Sequence, residues 1–135
     1  MEGYNGTVFA YGQTSSGKTY TMMGDFANPG VIPRAIEDVF AYIQENSNQR
    51  EFLLRVSYLE IYNETIRDLL SPENQDLKIH EDKQRGIYVS PLREDIVTTP
   101  EQVMQIIQDG ESTSSINPVF LFTMHSIPTC FYDRL

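Results

Sequence analysis

The run Gly12-Gln13-Thr14-Ser15-Ser16-Gly17-Lys18-Thr19 restricts what this chain can fold into more than any other stretch. Two glycines separated by four residues, then Lys and Thr, is the spacing of a phosphate-binding loop. Gly12 lets the chain leave a strand through dihedrals that a side chain forbids, and Gly17 lets the backbone approach a phosphate closely. Successive N–H groups from Thr14 to Thr19 can then turn toward a β-phosphate, helped by the positive end of a helix beginning near Lys18. The Lys18 ammonium reaches β- and γ-phosphates, and the Thr19 hydroxyl is a ligand for Mg2+. Upstream, Thr7–Tyr11 reads as a buried strand feeding the loop. A Gly/Ser-rich surface loop that happens to contain a lysine is the competing reading. The order strand, loop, helix favours the phosphate site.

The remaining chemistry is sparse. With 10 basic and 19 acidic residues in 135, the net charge is −9, so no nucleic-acid surface is advertised. Cys130 is the single cysteine, which excludes an internal disulfide and suits a reducing, intracellular setting. No apolar run has membrane-spanning length, and Met1-Glu-Gly-Tyr-Asn5 lacks the basic and apolar pattern of a signal peptide. His80 and His125 stand alone, without a second metal ligand at useful spacing.

In chain order, a short helix from Lys18 is expected to run to about Met23 and stop at Gly24. Asp25–Gly30 is turn-rich. A helix resumes near Pro33, where Ile32, Ile36, Val39, Phe40 and Ile43 share one face as core. Glu51–Tyr62 is a long strand rich in Leu, Val, Tyr and Ile. Asn63–Leu70 reads as helical, ended by Ser71-Pro72. Leu77–Glu81 and Gly86–Val89 form a small hairpin through Asp82–Arg85. Thr99 caps a last helix with Pro100 in first position and Gln102 completing a capping box; Gly110 fits a left-handed C-terminal residue.

These residues resemble the kinesin motor domain. The resemblance lies in Gly3-Tyr-Asn-Gly-Thr-Val-Phe-Ala-Tyr-Gly-Gln-Thr-Ser-Ser-Gly-Lys-Thr-Tyr-Thr-Met22, Val31-Ile-Pro-Arg-Ala-Ile36, Ser57-Tyr-Leu-Glu-Ile-Tyr-Asn-Glu64, Arg67-Asp-Leu-Leu70, His80-Glu-Asp-Lys83 and Gly86-Ile-Tyr-Val89. It covers residues 1–111, and Asn63–Asp68 with the Met22-Met-Gly24 turn is most similar to the centromere-protein-E-like subfamily. The resemblance implies an α/β fold of the P-loop NTPase type, a partial motor domain with a mixed central sheet flanked by helices. It implies ATP and Mg2+ on Gly12–Thr19, an adenine stacked on Tyr20, and tubulin contact through Lys83 and Arg85. It further implies a microtubule partner and a cytoplasmic, cytoskeleton-associated setting, with neither nucleic acid nor membrane as partner. Gly24–Gly30 matches a variable loop near the nucleotide.

The departures matter as much. The family's Ser-Ser-Arg-Ser-His and Asp-Leu-Ala-Gly-Ser-Glu switches do not occur in residues 1–135, and no Asp or Glu stands in for them. Hydrolysis needs a residue that positions water and a carboxylate that helps hold the metal, so no catalytic residue is assigned. Residues 112–135 carry only Asp133 and Arg134 as charges and read as a divergent tail. Within it Val119–Met124 has the composition of a strand. Two functions follow as expectations: an ATP-binding piece of a microtubule motor, or a truncated non-motor product that binds nucleotide weakly or acts only as an interaction fragment. The isolated chain is expected to aggregate or stay partly molten, because Thr7–Tyr11 wants strand neighbours on both sides.

Overall fold

The computed structural model describes residues 6–84, 86–113 and 118–128. The chain forms two compact units, Met1–Arg50 and Glu51–Leu135.

In the first unit, α1 (Lys18–Met22) and α2 (Val31–Asn46) are joined by a short, heavily bonded loop. Ile36 is buried on α2, and Ile32, Val39, Phe40 and Ile43 are half-buried, so the expected apolar stripe is the inward face. Thr7–Tyr11 corrects an expectation: it is not a strand, and Val8, Phe9 and Tyr11 are 68%, 82% and 96% exposed. Apolar, β-branched composition favours a strand only where a neighbour supplies pairing and cover. Among the described residues no strand pairs with this segment.

The second unit is built on β1 (Arg50–Tyr62), followed by β2 (Thr65–Asp68), β3 (Gln75–Asp82), β4 (Gly86–Ser90), β5 (Asp95–Val97), α3 (Pro100–Thr113) and β6 (Pro118–Pro128). The six-stranded sheet runs β4-β3-β2-β1-β5, with β6 also paired to β1. The β1–β2, β1–β5, β2–β3 and β3–β4 pairings are all antiparallel. From Val56 to Glu60 every residue of β1 is buried, as a central strand with both faces covered must be. On one face Leu59, Ile66 and Leu77 form a buried row, with Val89 and Leu92 against it. On the other, Leu54, Val56 and Tyr58 are buried, as are Val103 and Ile107 of α3.

Three local expectations fail for physical reasons. Asn63–Leu70 is not helical. Asn63 and Glu64 adopt φ of 48° and 62°, and Tyr62 pairs with Thr65, so the two form a tight turn between β1 and β2. Two consecutive left-handed residues match the right-handed twist of a hairpin. Asn tolerates that conformation, but Glu64 gives no sequence signal for it. Gly110 does not end α3, which continues to Thr113. A Cβ there would lie 2.3 Å from Tyr58 Cδ1 and 2.4 Å from Cε1, so its small size lets the ring of the strand meet the helix backbone. Strand β5 gave no sequence signal at all, being three residues held by pairing Leu54 with Val97 and Val56 with Asp95.

Other expectations hold. The hairpin is present, with His80 opposite Tyr88 and the rings stacked at 5.5 Å. The Thr99 cap accepts the Gln102 N–H at 3.3 Å, while Gln102 Oε1 accepts from the N–H of Thr98 at 2.8 Å, one residue earlier than a capping box requires. Val119–Met124 falls within β6, which Pro118 and Pro128 delimit.

Asp68 fastens this unit. Only 1% exposed, it accepts the Leu70 N–H at 2.9 Å through Oδ1 and the Arg93 N–H at 2.7 Å through Oδ2. The Arg93 guanidinium in turn donates to the Leu70 carbonyl at 2.9 Å and to Asp95 at 2.7 Å. Burial, with the carboxylates of Glu111 and Glu60 adding to it, raises the Tyr58 hydroxyl pKa above the ordinary phenol range, so this ring stays neutral.

Two substitutions test this packing by urea unfolding. Asp68→Asn presents an amide donor to one of two backbone donors and is expected to cost about 2 kcal/mol; an unchanged midpoint would refute the fastening role. Gly110→Ala gains roughly 1 kcal/mol of helix propensity but overpacks a buried ring at a cost of about 1–3 kcal/mol. It is expected to destabilise, and a stabilised variant would show that the ring yields freely.

Candidate functional site

The loop from Gly12 to Thr19 takes its shape from three residues in unusual conformations. Gly12 has φ of 157°, and a Cβ there would meet Ser16 Oγ at 2.4 Å. Ser15 has φ of 63°, which follows from the tight turn closed by the Ser16 N–H on the Gln13 carbonyl at 3.2 Å. Gly17 caps α1 with φ of 91° and ψ of 12° and no side-chain cap, leaving the first N–H groups of the helix without an intrahelical acceptor. Nothing lies within 4 Å of where a Gly17 Cβ would sit, so the space above the loop is open to an incoming group.

Lys18 holds the loop together from inside. Its ammonium donates to the Gly12 carbonyl at 2.8 Å and the Gln13 carbonyl at 2.7 Å. An ammonium has three donors. Two are spent on the loop's own backbone, and the charge is fixed at its mouth. Gln13, Thr14, Ser15, Ser16 and Gly17 are exposed, and so are Thr19 and Tyr20, the latter 57% accessible. Thr19 and Tyr20 follow Lys18 on the first turn of α1. The donor set fits a phosphate chain, with a hydroxyl next to it for a divalent cation.

The Gly24–Gly30 segment is a built turn. Asp25 Oδ1 accepts the N–H groups of Ala27 at 2.9 Å and Asn28 at 2.7 Å, and the Asp25 N–H bonds the Asn28 carbonyl at 3.0 Å. The Gly30 N–H bonds the Met23 carbonyl at 2.9 Å, and Arg34 Nε bonds the Pro29 carbonyl at 2.8 Å. Gly24, at φ 74°, bridges to Pro29, and a Cβ on it would lie 2.2 Å from the Asn28 carbonyl oxygen. The Asp, Asn, Pro and Gly content announced a turn here; the asparaginyl-type bonding of Asp25 is what makes it rigid.

The other expected contacts lie elsewhere. Lys83 is exposed in the β3–β4 turn, and Arg85 falls outside the described residues. Among the described residues no three His, Cys, Asp or Glu side chains cluster as a metal site. No helix among them is long and apolar enough to cross a membrane.

Comparison with known proteins identifies the family. The Kinesin motor domain model matches residues 1–121. Rice (Oryza sativa subsp. japonica) kinesin-like protein KIN-7I is 62% identical over 112 residues, covering 83% of this chain and 9% of its own. Arabidopsis thaliana KIN-7O is 58% identical over 112 residues, again 83% of this chain and 9% of the relative. KIN-7C, mitochondrial, from Arabidopsis thaliana is 54% identical over 128 residues, 93% of this chain and 14% of the relative. A solved structure titled as that of a fast kinesin superposes with a TM-score of 0.84 at 42% identity, covering 91% of this chain and 39% of that one. This chain thus spans a small part of the length of the relatives it matches. These relatives carry the KIN-7 designation, so the expected likeness to the centromere-protein-E-like subfamily finds no support in them. On the family model and this level of identity, the chain belongs to the kinesin motor domain family.

Proposed function

We propose that this chain is the nucleotide-binding portion of a kinesin motor, holding Mg-ATP or Mg-ADP on Gly12–Thr19. The observation that carries this reading is the ordered loop itself, with Lys18 fixed at its mouth on the Gly12 and Gln13 carbonyls and Gly17 open above. In this reading backbone N–H groups of the loop receive the β-phosphate, Lys18 offsets charge on the β- and γ-phosphates, and Thr19 is a ligand of Mg2+. Tyr20 offers its exposed ring to the adenine. Lys83 and Arg85 are the residues offered to tubulin in a microtubule-based, cytoskeleton-associated protein. The compartment proposed is the cytoplasm, although the names of some relatives carry "mitochondrial" or "chloroplastic".

A second reading rests on one specific observation. Residues 1–135 contain neither switch sequence, and residues 112–135 form the proposed divergent tail. Binding without turnover is then the property of this chain by itself, because the loop supplies affinity and the switches supply the positioned water.

Three measurements decide between these. Lys18→Ala is expected to weaken fluorescent-nucleotide binding at least tenfold, since charge-assisted contacts are worth about 1.5–3 kcal/mol each. Equal titration curves for variant and parent would overturn the phosphate site. ATP turnover by the 135-residue chain is expected not to rise with added microtubules; a rise would establish motor-type catalysis in this chain. Lys83→Glu is expected to lower cosedimentation with microtubules without altering nucleotide affinity, and unchanged cosedimentation would remove Lys83 from the contact.

A further inference from the structure

The two ends of the sheet path are not alike. At one end β5 is three residues long and is flanked by Arg93, Glu94 and Asp95, with an Arg93–Asp95 ion pair at 2.7 Å. Short length and charge are the usual protection of a sheet edge against pairing with another chain. At the other end β4 is Gly86-Ile-Tyr-Val-Ser90, five residues with no charge and no proline inside it. Its pairing with β3 runs through all five positions without a register shift, so no bulge twists it away. Among the described residues nothing pairs with its outer side. Alternate residues of β4 therefore present N–H and C=O groups away from β3. Ile87 is 75% exposed, and Ile79 of β3 on the same face is 63% exposed.

We propose that β4 is a self-pairing edge, joining this chain to the β4 of a second copy in antiparallel register about Tyr88. The occupant follows from the strand's own sequence. A two-fold axis at Tyr88 is the register that pairs all five residues, and it sets Ile87 of one copy against Val89 of its partner. Both residues lie on the face that carries Ile79, so each copy extends the other's apolar stripe. The net charge of −9 opposes association at long range, but β4 brings none of that charge into the seam. Five paired residues bury much less than the roughly 1,200 Å² of a stable interface, so the dimer is weak and reversible. Added salt strengthens it by screening the repulsion between acidic copies.

Sedimentation velocity of the 135-residue chain over a range of concentrations tests this. The parent is expected to shift toward dimer with concentration, and more so in salt. Ile87→Lys places a charge on the exposed edge and is expected to abolish the shift. Ile96→Lys, on β5 at a position 63% exposed, is expected to leave it intact. A parent that stays monomeric, or variants that weaken association equally, would overturn the proposal. A crosslink makes the test independent of how Ile87→Lys folds. In a Cys130→Ser background, Tyr88→Cys is expected to form a covalent dimer on mild oxidation, because directly opposed strand residues lie within disulfide reach. Ile96→Cys is expected not to. Crosslinking at residue 96 and not at 88 would place the contact on the other edge and overturn the reading.

Discussion

A buried carboxylate with two backbone donors governs the second unit. Asp68 closes β2, and its two oxygens take the N–H groups of Leu70 and Arg93, residues separated by 23 positions of chain. Without it, the stretch after β2 and the stretch leading into β5 would each carry a buried or half-buried donor needing water. Arg93 then reaches back to the Leu70 carbonyl and forward to Asp95, so one anion sets the course of two loops. The sheet depends on this because β5 is too short to hold its place through strand pairing alone. Three paired residues on one side of β1 are marginal, and α3 leaves directly from that strand's end.

What the sequence disclosed divides along a physical line. The features it revealed are those in which a residue type acts on its own neighbourhood. Gly12 and Gly17 need special dihedrals, Thr99 and Pro100 start a helix, and Asp25, Asn28 and Gly30 make a turn. The apolar stripe of α2 also belongs here, since helical period alone assigns its face. What stayed hidden depends on partners far along the chain. Gly110 looked like a helix end because the ring that requires its smallness comes from Tyr58. Asn63–Leu70 looked helical because a turn of Asn and Glu lacks the glycine that marks most such turns. Thr7–Tyr11 shows the converse error: composition suited to a strand does not make one without a neighbour to receive its backbone.

For the site itself, the sequence was informative about the loop and silent about its internal bonding. Nothing in the spacing of Gly12 to Thr19 says that Lys18 turns inward onto two carbonyls. Nor does it say that the segment after α1 is closed back onto Met23 by Gly30. Both are consequences of backbone groups seeking partners, and the loop's order rests on them as much as on its glycines.

The inward Lys18 has a thermodynamic corollary. An ammonium already anchored at two points has lost most of its rotamer freedom before any anion arrives, and the carbonyls it neutralises no longer repel one. An incoming phosphate chain meets a charge that is in position and has one donor to spare. The conformational entropy of ordering that side chain is thus charged to folding and left out of association. Calorimetrically, the cost of holding the lysine resides in the stability of the loop, and the anion's affinity is set chiefly by how much water each side must give up.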